Sequence, residues 1–335
     1  MSVAARKTFR PLAARLVLTF ALVAFLAWRL DLQALGDRLT RLQPSWMALA
    51  VLAVVAAIGV SAWKWGLILA RRGRPLPYWR LLRHYFVGLF FNNVLPTTVG
   101  GDAVRAWEAS RDTGEYPEAV GSVVSERLIA GVALGATSLL GLPFIDVSWR
   151  LSLLVALFLV IDFGLVVFFL APKVAEGVVS KLLPPQFAGM RHAASATVRV
   201  VRATLQDHAL FATVVALSVL FQALVAAVNA CIFEAMGVHV GLARCLVYTP
   251  MIFTVTMLPI SLSGLGVREA AYWFFFAQAG VGQAECVGAS LAFFVTVGLC
   301  SLPGAALFAI SRRAASGAVS GPEPSRTGVT SKCKS

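Results

Sequence analysis

The sequence predicts an all-α integral membrane protein with about six full spans and two re-entrant helical hairpins, arranged as an inverted repeat. Three observations carry this prediction. The 335 residues are 59% hydrophobic and 13% charged, far from the roughly 25% charged of a soluble domain. Several apolar runs reach the roughly 20 residues that a helix needs to cross some 30 Å of hydrocarbon, and none shows the alternating polarity of a membrane barrel strand. Two polar, Gly-bearing interruptions also recur at a fixed offset of 163 residues.

Taken in order, residues 1–15 carry Arg6, Lys7, Arg10 and Arg15 without an acid, and an apolar run follows to about Leu30. No small-residue cleavage site precedes Trp28, so this reads as an uncleaved first span rather than a signal peptide. The second span covers about 46–70 and ends in a basic loop with Arg71, Arg72, Arg74, Arg80 and Arg83. From His84 the chain is apolar only to Val94, eleven residues, or roughly 16 Å of helix. The segment beyond holds Asp102, Arg105, Glu108 and Arg111, a poor lipid-facing surface, so a re-entrant hairpin is expected here.

The third span, about 119–141, places Glu126 and Arg127 inside apolar sequence, and the fourth covers about 151–171. Residues 172–208 form a basic cytoplasmic segment whose second half is expected to be an amphipathic helix on the membrane surface. The fifth span, about 209–233, leads to two short apolar pieces separated by SLSGLG, which read as a second hairpin. The last span, about 284–311, closes a membrane domain of 1–313, and the Gly/Ser/Pro-rich tail 314–335 is expected to be disordered.

This layout puts 19 Lys and Arg in the segments assigned inside and 4 in those assigned outside. It is the bias that the positive-inside rule requires, with both termini cytoplasmic and the bacterial inner membrane as the location. The same distribution accounts for the net charge of +13 and argues against nucleic acid as a partner. Cys231, Cys245, Cys286 and Cys300 lie in or beside apolar segments without metal-ligand spacing, so neither a disulfide nor a metal site is expected, and no cofactor.

The repeat sets LPTTVGGDAVRAW (95–107) against LPISLSGLGVREAAY (258–272). Leu95/Leu258, Pro96/Pro259, Gly101/Gly264, Val104/Val267 and Arg105/Arg268 match, with Thr98 against Ser261. The same offset carries 46–70 onto 209–233, so the units 46–141 and 209–311 each read as span, broken hairpin, span, in opposite orientation. Interrupted helices at corresponding positions of inverted repeats point to a transporter site near the midplane.

Bare N–H groups at Gly100, Gly101, Gly264 and Gly266 would open the following half-helices, and helix starts attract anions. Arg105 and Arg268, one turn further on, suit bidentate phosphate binding. Alternatively, these groups only brace the bundle, with Arg268 pairing Glu269 or Glu126. Glu126 and Arg127 are equally open between contacting a substrate and orienting a hairpin arginine. Asn92, Asn93, Thr97, Thr98, Ser261 and Ser263 would line a polar path or satisfy freed backbone groups. Lys64 reads as snorkelling to the interface, Asp162 as a candidate proton-coupling group, and His192 and His208 as surface residues. No His/Asp cluster or carboxylate pair stands at catalytic spacing, so an enzyme is not expected.

The motifs NNVLPTTVGGDAVRAW, VVSERL and LPISLSGLGVREAAY together resemble the membrane-embedded, flippase-like domain of the lysylphosphatidylglycerol synthase family, over about residues 10–312. Their polar positions are occupied by Asp102, Arg105, Glu126, Arg127, Arg268 and Glu269. The resemblance implies movement of a polar lipid between leaflets: an anionic or aminoacylated phospholipid, or a hopanoid or glycolipid. Only a short tail follows the last span, so the family's aminoacyl-transferase part is expected to be absent. A lipid-modifying enzyme and a non-transporting partner of a lipid-synthesis complex are the alternatives, and the oligomeric state, a homo-oligomer included, is left open.

Overall fold

Every element in the described part of the chain is helical, and glycines mark where helices stop. The computed structural model describes residues 42–95, 100–141, 143, 149–183, 185–257 and 264–319. The first span, Thr98, Ser261, Ser263 and the chain beyond 319 therefore lie outside the described residues. The helices are α1 Pro44–Arg71, α2 Tyr78–Val94, α3 Gly100–Thr113, α4 Tyr116–Gly141, α5 Trp149–Leu170 and α6 Pro172–Leu182. They continue as α7 Ala188–Gln206, α8 His208–Ala235, α9 Leu242–Met257, α10 Val267–Phe276 and α11 Gln283–Val319.

Four of these are long and apolar enough to cross a membrane: α1, α4, α8 and the Gln283–Ile310 part of α11. A fifth candidate is the pair formed by 156–170 of α5 and α6, bent by 90°. The protein is an all-helical, multi-pass membrane protein. Apolar side chains such as Leu157, Val160 and Phe163 of α5, and Leu299 and Leu302 of α11, stand exposed because hydrocarbon, not water, meets them.

The ends of α1 and α8 show how sequence sets the boundaries. Pro44 opens α1, where its missing N–H is no loss, and Asp207 caps α8 by accepting from the Leu210 N–H at 3.0 Å. Gly73 and Gly237 both adopt φ of 73°, the left-handed conformation that ends a helix. In each case the next residue turns back to bond an earlier carbonyl: Arg74 to Leu69 at 2.9 Å, and Val238 to Phe233 at 2.9 Å.

The packing pairs the two halves of the chain. α1 lies along α8; α2 leans on α11, and α9 on α4. The helix that begins each broken stretch therefore rests on the final helix of the other half. Within each stretch the chain folds back antiparallel. Asn92 of α2 accepts from the Gly101 N–H while His84, two turns earlier, meets Glu108 and Asp112 of α3. In the second half Gly264 lies against Thr256, and Tyr248 of α9 packs edge-on to Phe276 of α10.

Three expectations are corrected here. α2 begins at Tyr78, after the extended Pro77, rather than at His84, so Arg80 and Arg83 belong to the helix and not to the loop. No breaker separates 78 from 84, and the basic side chains simply extend the helix beyond its apolar part. α7 is more than a surface helix, because Val198 is buried and Val201 and Leu205 are buried in one cluster with Leu128 and Ile129 of α4. α11 also runs to Val319, so the tail read as beginning at 314 starts as helix.

α2 and α3 approach most closely at Gly88 and Gly101, where a Cβ on Gly101 would overlap the Gly88 carbonyl oxygen. Gly101→Val is expected to lower stability by about 1–3 kcal/mol through overpacking. Gly164→Ala on α5, where nothing lies within 4 Å, is expected to be neutral or stabilising. Thermal unfolding of both variants in detergent checks the contrast.

Candidate functional site

A polar cluster sits where α1, α2, α3 and α4 meet. Glu126, buried on α4, is its centre. The Glu126 carboxylate takes Arg105 of α3 at 2.8 Å, Lys64 of α1 at 3.4 Å and the hydroxyl proton of Tyr85 of α2 at 2.9 Å. Arg105 is 2% exposed, and its guanidinium is held between the Trp65 ring at 4.7 Å and the Tyr85 ring at 4.5 Å. Trp65 is fixed in turn, its Nε1–H donating to Ser122 Oγ at 3.0 Å.

Arg127, the next residue on α4, faces another way. It binds Asp102 of α3 with both Nε and a terminal nitrogen, at 2.7 and 2.9 Å. Asp102 also lies 3.5 Å from Arg105, which joins the two pairs into one network. The network holds three cations, Lys64, Arg105 and Arg127, against two carboxylates, Asp102 and Glu126. One positive charge is left over. Arg105 Nε also finds no hydrogen-bond acceptor among the described residues, a costly state for a buried donor in apolar surroundings.

Next to the network lies a cavity of about 200 Å³. Asn92, Asp102, Arg105 and Arg127 line its polar end, and the Arg127 side chain is 45% exposed. The remaining walls are apolar and come from both halves of the chain: Val54 of α1, Phe221 and Val228 of α8, Phe253 of α9 and Phe293 of α11. This arrangement can hold a small anion at one end and aliphatic chain along the rest.

The matching arginine of the second half is placed differently. Arg268 donates to Glu269 Oε1 at 2.7 Å and to Ser290 Oγ at 3.0 Å, and stacks over Phe294 at 4.7 Å. Glu269 Oε2 accepts from the Gly266 N–H at 2.7 Å, which caps the start of α10. This group is neutral and satisfied, and none of Gly264, Gly266, Arg268 or Glu269 lines the cavity. Of the sequence candidates, then, Asp102, Arg105, Glu126 and Arg127 come together with Gly101 nearby, while the second-half residues form a separate brace. Asn93 stands at the end of α2, its side-chain nitrogen without a partner among the described residues, and Gly100 opens α3.

Sequence reasoning missed three members of the site. Lys64 does not snorkel: it is 2% exposed and bound inward to Glu126 and Ser218. An ammonium about two helix turns from the span's end was read as reaching out, whereas the carboxylate on α4 draws it in. Trp65 and Tyr85, which sandwich Arg105, carry no sequence signal beyond their size. Sequence also showed no His/carboxylate cluster, yet folding α2 onto α3 brings His84 between Glu108 and Asp112. Among the described residues Cys231, Cys245, Cys286 and Cys300 are free.

A family model, Lysylphosphatidylglycerol synthase TM region, matches residues 12–304. The chain belongs to this family. It is therefore a membrane protein of a family tied to lipid metabolism, and the three motifs that suggested the resemblance fall inside the matched range. No curated protein matches the chain.

Breaking a buried ion pair from one side costs about 3–5 kcal/mol, more than the intact pair contributes. Glu126→Gln is expected to destabilise by this amount, because Lys64 and Arg105 lose their shared carboxylate. Adding Lys64→Met should recover part of the loss. Chemical unfolding of the single and double variants reads the coupling, and strictly additive effects would show that the two groups do not interact.

Proposed function

We propose that this protein moves a polar lipid bearing an anionic group between the two leaflets of a bacterial inner membrane. The observation that carries this is the cavity in which an excess-positive, incompletely satisfied cluster opens onto apolar walls. A head group carrying phosphate would meet Arg127 and the free Nε of Arg105, and its acyl chains would lie along the apolar side toward lipid.

The arrangement of helices supports the same reading. α1, α2, α3 and α4 correspond in order and length to α8, α9, α10 and the first part of α11, at an offset close to the 163 residues of the motif repeat. The two antiparallel stretches, α2–α3 and α9–α10, fit re-entrant hairpins that enter from opposite sides, their first helices ending at Val94 and Met257, shortly before Pro96 and Pro259 in the sequence. Six spans with cytoplasmic termini follow from the charge bias once the first apolar run is counted. Irregular backbone of this kind is tolerated at membrane depth where protein or a water-filled cavity covers it. Broken helices meeting in the bundle let such a protein expose one site alternately to each side.

In this scheme Arg127 contacts the head group directly, Arg105 supplies the buried positive field, and Asp102, Glu126 and Lys64 hold the two arginines in place. Arg268 and Glu269 keep α10 seated on α11. The chain acts without a cofactor.

Liposomes containing the purified protein and labelled lipids with different head groups test the proposal. Wild type is expected to move lipid with head-group selectivity, and Arg127→Ala to reduce the rate at least tenfold while unfolding at the wild-type temperature. Arg268→Ala is expected to lower stability first. Absence of movement for every lipid, with or without an imposed ion gradient, would turn the assignment toward a lipid-modifying enzyme or a scaffold.

A further inference from the structure

His84 stands apart from the cluster around Glu126 and is fully buried in the interface between α2 and α3. Its Nδ1 lies 3.1 Å from Glu108 Oε2 and its Nε2 lies 2.9 Å from Asp112 Oδ2. A neutral imidazole carries one N–H and one lone pair. Whichever tautomer it adopts, a neutral ring turns a lone pair toward a carboxylate oxygen at hydrogen-bond distance, where the two repel. Three groups in this geometry call for one proton more than a neutral imidazole and two carboxylates hold.

The surroundings leave this role to the imidazole. Arg80 and Arg83, from the same helix, reach the same two oxygens at 3.9 Å each, with their side chains 43% and 25% exposed. They are too far away to take the place of ring N–H donors. From α1, Trp65 faces the ring edge-on at 6.3 Å, while Lys64, Arg71 and Arg72 are engaged with Glu126, Asp207 and Glu118. Arg111 of α3 stacks on Trp107, and Glu115 is bound to Arg74. From α11 the described contacts to α2 are apolar: Phe308 packs on Phe91, and Gly304 lies against the Phe86 backbone.

We propose that His84, Glu108 and Asp112 form a proton-binding site that locks the first hairpin, with both ring N–H groups of an imidazolium donating to the two carboxylates across the α2–α3 interface. The step is a simple proton exchange with water at the end of the hairpin that carries Arg80 and Arg83. Uptake places a proton on the bare ring nitrogen and ties α2 to α3. Release leaves a lone pair facing a carboxylate between the helices and drives that end of the hairpin apart. Glu108 follows Arg105 by one helical turn, so movement of α3 reaches the network around Glu126 directly. The proton occupancy of this site, set by the pH on that side of the membrane, would thus control the rate of lipid movement. That coupling rests on the transport reading above; the proton site does not.

Ring-nitrogen NMR of the full-length protein, labelled with 15N-histidine in lipid nanodiscs, tests the site. The sequence has four histidines, and comparison with His84→Gln assigns the signal. The expected result at neutral pH is a pair of protonated ring nitrogens in wild type and one bare ring nitrogen in Glu108→Gln. A neutral tautomer with one bare nitrogen in wild type at neutral pH overturns the site. In proteoliposomes, an imposed proton gradient should speed wild-type lipid movement severalfold and leave the rate of His84→Gln unchanged. A protonated His84 with gradient-insensitive movement overturns the coupling alone. A protonated His84 with no lipid movement at all overturns the transport reading while the proton site stands.

Discussion

The Glu126 carboxylate is the constraint on which the first half of the structure depends. Residues of α1, α2 and α3 all end on it, through Lys64, Tyr85 and Arg105. A lone charge in the interior of a membrane protein is expensive, and so is each of its partners without it. The four helices are therefore held not by general apolar attraction, which lipid supplies equally well, but by the need of these few groups to stay together. Small residues then allow the backbones to close: Gly88 against Gly101, Gly304 against Phe86 and Gly121 against Val200.

The two halves share a framework and differ in charge. Helix order, the terminating glycines and the exchange of hairpin partners correspond throughout. Yet Arg105 enters a five-membered network with a charge to spare, whereas its counterpart Arg268 is consumed by its own neighbour Glu269 and by Ser290. The position equivalent to Glu126 falls next to Ser290, a neutral acceptor, and the position equivalent to Lys64 is Ala227. What distinguishes the site is thus written in the partners of the arginines, not in the arginines.

That difference explains what could be read from the chain and what could not. The spans 46–70, 119–141 and 209–233 were legible because the hydrophobic run and its flanking charges fix a membrane helix almost by themselves. The helix breaks were legible too, since Pro and Gly act locally. The start of α2 was not, because the end of an apolar run is a statement about lipid and not about hydrogen bonds. In the site, Glu126 and Arg127 stood out as charges in apolar sequence, and Asp102 and Arg105 by their place in the Gly-bearing motif. Their pairing did not, for it depends on which helix faces emerge on the same side once α3 folds back on α2. The inward turn of Lys64 and the seat of His84 between two carboxylates are long-range facts of the same kind.

The unequal charge of the two halves bears on direction. In a molecule built from two equivalent inverted units, opening to one side and opening to the other would be the same structure viewed from opposite faces, and equal in free energy. Here the network with the excess charge belongs to the first unit, on α1, α3 and α4, while the second presents only a neutralised pair. Under the transport reading proposed above, the two open forms would be different states, one of which buries an uncompensated cation more deeply than the other. Such a molecule would have a built-in resting posture, and its cargo would tip the balance by supplying the missing negative charge.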